Sequence, residues 1–202
     1  MKPASKITAM LLLAFAVTMV TSAQSEKTFK ELLSENELEF SMPNDFKEVA
    51  VEQKGGLYYN YAMAYEKDTF EVRYTIFSIK PLLEDYEKKA NDPNIKNVLH
   101  PNDYYKSMFV ANIINVGKFS PDKIPRPVPF PPEAAKNEFG TETGAFVFFP
   151  ANSGFAEGYT YCFMLQLHKK DVADVYISFL GSDKEKFQNF SQLVFHALKF
   201  QD

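Results

Sequence analysis

Hydrophobic and polar positions alternate with a period of two over much of the chain, most clearly between residues 57 and 76. Leu57, Tyr59, Tyr61, Met63 and Tyr65 alternate with Tyr58, Asn60, Ala62, Ala64 and Glu66. After Lys67-Asp68, Phe70, Val72, Tyr74 and Ile76 alternate with Glu71, Arg73 and Thr75. Successive strand side chains point to opposite faces, so the pattern predicts an antiparallel hairpin with one face on a core. Pro81 should end it. Upstream, Leu38-Glu39-Phe40-Ser41-Met42 alternates as far as Pro43, a second strand is expected near 46–53, and Gly55-Gly56 punctuates. Residues 145–149, 159–167 and 172–180 are rich in aromatic and branched side chains. Lys169-Lys170-Asp171 supplies a polar turn between the last two segments, which should pair as a hairpin.

Helical spacing appears in four places. Thr28 and Glu31 can form a capping box for a brief helix within 26–35. Leu82-Leu83 to Lys89 is helix-like, and Asn91-Asp92-Pro93-Asn94 breaks it. From Asn102 to Val116, Tyr105, Met108, Phe109, Ile113 and Val116 recur every three or four residues, with Asn102 as expected cap and Gly117 just past the end. Ser182 and Glu185 suggest a second capping box, opening a terminal helix whose apolar stripe is Phe187, Phe190, Val194, Ala197 and Leu198. Between these segments, Pro121, Pro125, Pro127, Pro129, Pro131 and Pro132 impose an extended, polyproline-like path on 117–132, where neither strand nor helix is expected. Pro132-Glu133 to Phe139 can restart a short helix. The fold class expected for 24–202 is therefore a single α+β domain, a mostly antiparallel twisted sheet with helices packed on it.

The first two dozen residues change the setting. Lys2 and Lys6 precede an uncharged apolar run from Ile7 to Val20, closed by the small residues Thr21-Ser22-Ala23. This is the pattern of a cleaved export signal, with 1–23 removed and the mature chain starting near Gln24, in the periplasm or outside the cell. The run is shorter than the ~20 residues that span a bilayer, so no integral membrane segment is expected in the mature chain. Without the leader's two lysines, 20 basic side chains face 26 acidic ones, a charge of −6 with His neutral. That balance argues against nucleic acid, which needs clustered Lys and Arg to displace phosphate counterions. Cys162 is the only cysteine, so no intramolecular disulfide can form, and its apolar neighbours mark it as a buried, inert thiol. Stability must then come from packing, for which 20 Phe and 11 Tyr, with no Trp, supply the material.

Little in the chain reads as chemistry. His168, Asp171 and Asp174 are spaced by three, but across a turn that spacing does not gather three ligands, so a solvated turn is expected and no metal. His196 should lie on the polar side of the terminal helix, and His100 has no evident partner. No serine sits in a nucleophile elbow, no glycine cluster matches a phosphate loop, and acidic pairs such as Glu84-Asp85 arise by chance among 26 acids. No catalytic residue, cofactor or metal is assigned, and the protein is expected not to be an enzyme. Two features stand out. Tyr58, Tyr59, Tyr61 and Tyr65 put aromatics on both faces of one strand, which fits a strand covered on both sides or an exposed Tyr58 in a binding surface. The proline stretch is either structural cover or a stiff binding loop, with Arg126 and Phe130 as its contact residues.

The stretch Leu38-Glu39-Phe40-Ser41-Met42-Pro43-Asn44-Asp45-Phe46 resembles the opening of the PsbP, Mog and DcrB group, where a strand leads through Pro to an aromatic before a twisted sheet. The closing strand Val175 to Leu180, capped by Ser182 and followed by a helix to Leu198, is also similar. The helix at 102–116 and the proline stretch look like an insertion. Phe139 to His168 and the Ala23-Gln24 junction resemble uncharacterised exported proteins of Bacteroidetes-type bacteria. The resemblance implies an α/β sandwich working by binding or assembly, with no catalytic residues to carry over. The expected function is an exported binding or accessory module, its partner an envelope protein or a small apolar ligand. A carrier for such a ligand, or an enzyme of unrecognised type, is the alternative. N-terminal sequencing of the exported protein should find a start at or near Gln24, and a cytoplasmic product beginning at Met1 would contradict the assignment.

Overall fold

A computed structural model describes residues 27–201 apart from 54, 56, 93 and 95–97. The expected leader and cleavage junction lie outside the described residues. Helix α1 (Phe29–Glu35) opens with the expected capping box: Thr28 Oγ1 accepts from Glu31 N, and Glu31 returns a carboxylate oxygen to the Thr28 N–H. Strands β1 (Leu38–Phe40) and β2 (Phe46–Glu48) follow, then the hairpin of β3 (Tyr61–Tyr65) and β4 (Phe70–Ser78). Helices α2 (Lys80–Ala90) and α3 (Tyr104–Gly117), strand β5 (Val128–Pro129) and helix α4 (Pro132–Phe139) make up the middle of the chain. Strands β6 (Thr143–Pro150), β7 (Tyr161–Lys169) and β8 (Ala173–Gly181), helix α5 (Lys184–Val194) and strand β9 (Leu198–Phe200) complete it. The fold is α+β.

Seven strands form one antiparallel sheet in the order β2-β3-β4-β8-β7-β6-β5, and β1 pairs with β9 in a separate two-stranded sheet. The ladder from Phe70↔Gly181 to Ser78↔Ala173 welds the N-terminal hairpin to the C-terminal strands. Every residue of β8 is buried, so this central strand is covered on both faces. On one face, Phe70, Val72, Tyr74 and Ile76 of β4 continue through Val175, Ile177 and Phe179 of β8 to Leu165 and Leu167 of β7, beneath α1, α5 and the β1/β9 pair. On the other face, Cys162, Met164, Tyr176 and Leu180 meet Phe109, Ile113 and Val116 of α3. Burial pushes the Cys162 thiol far up, which keeps it protonated. Among the described residues no helix is long and apolar enough to cross a membrane.

Strand β4 ends at Ser78, ahead of Pro81 as expected, and Pro81 then sits in the first turn of α2, where a missing N–H costs nothing. Four other local expectations are corrected. The terminal helix is capped by Asp183, not Ser182: its carboxylate accepts from Glu185 N and Lys186 N, whereas Ser182 donates to the Gly158 carbonyl. That helix ends at Val194, so Ala197 and Leu198 belong to the turn and strand that follow, and Leu198 pairs with Phe40. Gly140, in the left-handed conformation at the end of α4, lets that strand approach, since a Cβ there would lie 2.5 Å from the Phe200 carbonyl oxygen.

The proline stretch holds a strand after all. Val128 faces Phe146, and the Phe130 N–H donates to the Gly144 carbonyl at 2.9 Å. Pro127 and Pro129 alternate with these residues, so the absent N–H groups fall on the outer, unpaired edge of the sheet, the one side where a strand tolerates proline. Asn102 is likewise not the cap of α3. It lies in the 3-10 turn Pro101–Asp103, started by His100, whose Nδ1 accepts from Asn102 N.

Phe187 of α5 is 5% exposed and packs edge-on against Phe70 and Phe148, whereas Phe190 is half-buried against Tyr65 and Phe70. Phe187→Ala should therefore cost about 3–5 kcal/mol in urea unfolding and Phe190→Ala about 2–3 kcal/mol. Equal midpoints for Phe190→Ala and the parent would contradict its placement.

Candidate functional site

The hairpin alternation fails at Asn60, and the failure builds a site. The Asn60 N–H donates to the Tyr74 carbonyl at 2.8 Å, and its side-chain Oδ1 takes the Ile76 N–H at 2.6 Å, in the place of a strand carbonyl. The preceding chain leaves the ladder there. Tyr59 passes into the α3-side core, while Tyr58 turns outward and is 50% exposed. Tyr58 is nonetheless held: its carbonyl accepts from Thr75 Oγ1 at 2.9 Å, and its hydroxyl from Asn60 Nδ2 at 3.2 Å.

Tyr58 forms one wall of an apolar groove of about 260 Å³. Phe77 of β4 (42% exposed) and Met108 of α3 (44%) line it beside Leu57, while Tyr176 and Ser178 form the floor. The groove exists because α3 lies over β7 and leaves the β4 side of the same face uncovered. Met108, expected in the buried stripe of α3, stands at its edge. Burial drives the Tyr176 hydroxyl far above its ordinary range, so it remains a neutral donor, reaching the Tyr105 carbonyl at 3.3 Å.

At the far end of the same face of β4, Arg73 is buried between the rings of Tyr59 and Phe155, at 4.9 and 4.8 Å. It donates to the Phe155 carbonyl and to Glu71 Oε1, and Glu71 accepts the Tyr159 hydroxyl at 2.8 Å. These bonds compensate the buried ion pair, and they anchor the loop that carries Phe155, the end wall of the groove.

The expected solvated turn at His168 is overturned. His168 and Asp174 are cross-strand partners, 5% and 1% exposed, with Nδ1 2.7 Å from the carboxylate and the imidazole stacked 4.3 Å from the Tyr105 ring. Burial raises the Asp174 pKa, against the opposing hydrogen bond and charge of His168. Asp171 stays apart and exchanges two hydrogen bonds with Asn102. Among the described residues no three side chains cluster as metal ligands. His196 is exposed as expected, though in the turn after α5, beside Glu138 at 3.1 Å, and His100 meets the Tyr86 ring.

The structure does not bring Tyr58, Arg126 and Phe130 together. Arg126 is exposed, and Phe130 lies on the opposite flank of α3 from Tyr58. Phe130 also turns inward, its ring 5.2 Å from Phe146 and 5.5 Å from Phe139. Phe77 and Met108 were missed, although Phe77 carries a signal: it is the apolar residue on the otherwise polar face Glu71, Arg73, Thr75. A further apolar furrow, between α5 and Phe148 and Phe163, lies on the other side of the sheet. No family model matches the sequence, and no curated protein or solved structure matches it. Phe130→Ala should lower stability by about 2–3 kcal/mol and Arg126→Ala by less than about 0.5 kcal/mol. Chemical denaturation checks both, and an unshifted midpoint for Phe130→Ala would return that residue to the surface.

Proposed function

We propose that this protein is a non-enzymatic binding module of the cell envelope, and that its contact surface is the groove between α3 and β4. The observation that carries this reading is that large apolar side chains, Tyr58, Phe77 and Met108, stand exposed around one concavity while Asn60 and Thr75 hold Tyr58 in place. Contiguous exposed apolar surface of this kind marks an interaction site, and a wall fixed in advance loses little freedom on binding. The groove volume of about 260 Å³ falls just below the roughly 300–1,000 Å³ of pockets that enclose small organic ligands. It suits one apolar side chain of a protein partner better than a carried molecule. The resemblance of the Leu38 to Phe46 segment to the PsbP, Mog and DcrB group agrees with a role in binding or assembly.

The paired substitution Tyr58→Ser with Met108→Gln tests this directly. Both residues are exposed, so the melting temperature should stay within a few degrees of the parent. The fluorescence of bis-ANS bound to the folded protein should fall by more than half, and capture of a partner from envelope extract should be lost. Retention of both signals would show that the contact surface lies elsewhere.

A further inference from the structure

The second flank of α3 carries a different site. A cavity of about 310 Å³ lies between α3, the proline strand β5 and the start of β6. Tyr105 and Phe109 wall it on one side, Pro127 and Pro129 on the other, and Ala145 opens its floor opposite Gln166 in the ladder. Two polar atoms in this lining are buried without a hydrogen bond: Gln166 Nε2, on a residue 2% exposed, and Thr143 Oγ1. Thr143 pairs with His168 and Ala145 with Gln166, so Thr143 and Gln166 are diagonal neighbours on one face of adjacent strands. A buried amide or hydroxyl without a partner is costly, and two in one cavity wall are explained by a ligand that satisfies them.

From this geometry we infer that the cavity is a binding site for a small neutral molecule with an apolar body and one carbonyl oxygen, which accepts from the Gln166 amide with the Thr143 hydroxyl alongside. Charge selects the neutral class. The ionic groups at the cavity, Lys106 and Glu142, are exposed, and each has a local contact. The Lys106 ammonium sits 5.4 Å above the Tyr105 ring, and Glu142 accepts from the Lys170 N–H at 3.0 Å. A carboxylate placed beside Gln166 would be desolvated, and among the described residues that line the cavity no buried one carries a cation. The hydrocarbon walls of Phe109, Pro127 and Pro129 receive the body of the molecule. This site is independent of the Tyr58 groove, since it uses the other flank of the helix.

Acetophenone, ethylbenzene and benzoate are probes of nearly equal size that differ only in the group offered to Gln166. In NMR titrations of the labelled protein, acetophenone should shift the Ala145 methyl and the Gln166 side-chain amide. It should bind roughly five- to tenfold tighter than ethylbenzene, the gain expected of one net hydrogen bond. Benzoate should bind more weakly than acetophenone. Gln166→Leu, which replaces an unpartnered amide by a hydrocarbon of similar size, should retain or raise the melting temperature and abolish the preference for acetophenone. Thr143→Val should reduce that preference and serves as the test if Gln166→Leu does not fold. Equal binding of acetophenone and ethylbenzene, tighter binding of benzoate, shifts confined to Tyr58 and Met108, or no shift at the solubility limit would each overturn the assignment.

Discussion

The pairing of β4 with β8 is the interaction on which the rest of the molecule depends. It joins segments about a hundred residues apart, and its nine-residue register sets which side chains of the first hairpin share a face with which side chains of the last. Once Phe70 lies opposite Gly181 and Ser78 opposite Ala173, one row of β4 joins the purely apolar face. The other row, Glu71, Arg73, Thr75 and Phe77, joins the face that receives α3. A slip of one residue would invert both. The intervening chain, α2 through α4, is a long excursion whose ends are fixed by this ladder.

The two faces are built differently. The face under α1 and α5 is filled with rings, among them Phe70, Phe179 and Phe187, and among the buried strand residues it holds apolar side chains throughout. The face under α3 carries the buried polar residues of the sheet: Arg73, Gln166, His168, Asp174 and Ser178. One helix cannot cover seven strands. Placed over β7, α3 leaves a concavity on each flank, apolar beside Tyr58 and Phe77, partly polar beside Gln166 and Thr143. Both concavities follow from strand register and helix position.

Much of this was legible in the chain because its signals are local. The β3/β4 and β7/β8 hairpins, the α1 capping box and the body of α3 each rest on periodicity or on side-chain reach within a few residues. What could not be read depends on partners distant in sequence. Leu198 looked like a helix residue because its spacing from Val194 is helical, but its strand exists only because Leu38–Phe40 lies beside it. Phe130 looked like a loop contact because nothing nearby in sequence reveals Phe139 and Phe146 beneath it. His168 and Asp174 looked solvated because a hairpin turn is normally exposed, and Tyr105 on α3 covers this one. Asn60 fits the polar phase of the alternating run, so neither the interruption there nor its double bond to β4 shows in the sequence.

Partner contact at the proposed α3/β4 groove can be read by hydrogen–deuterium exchange of the protein alone and bound to the partner recovered from its native envelope. Slowed exchange at 57–60, at 75–78 and along the α3 segment around Met108, with α5 unchanged, is expected. Protection confined to α5 and the Phe148 edge of the sheet, with the groove segments unaffected, would contradict the proposal.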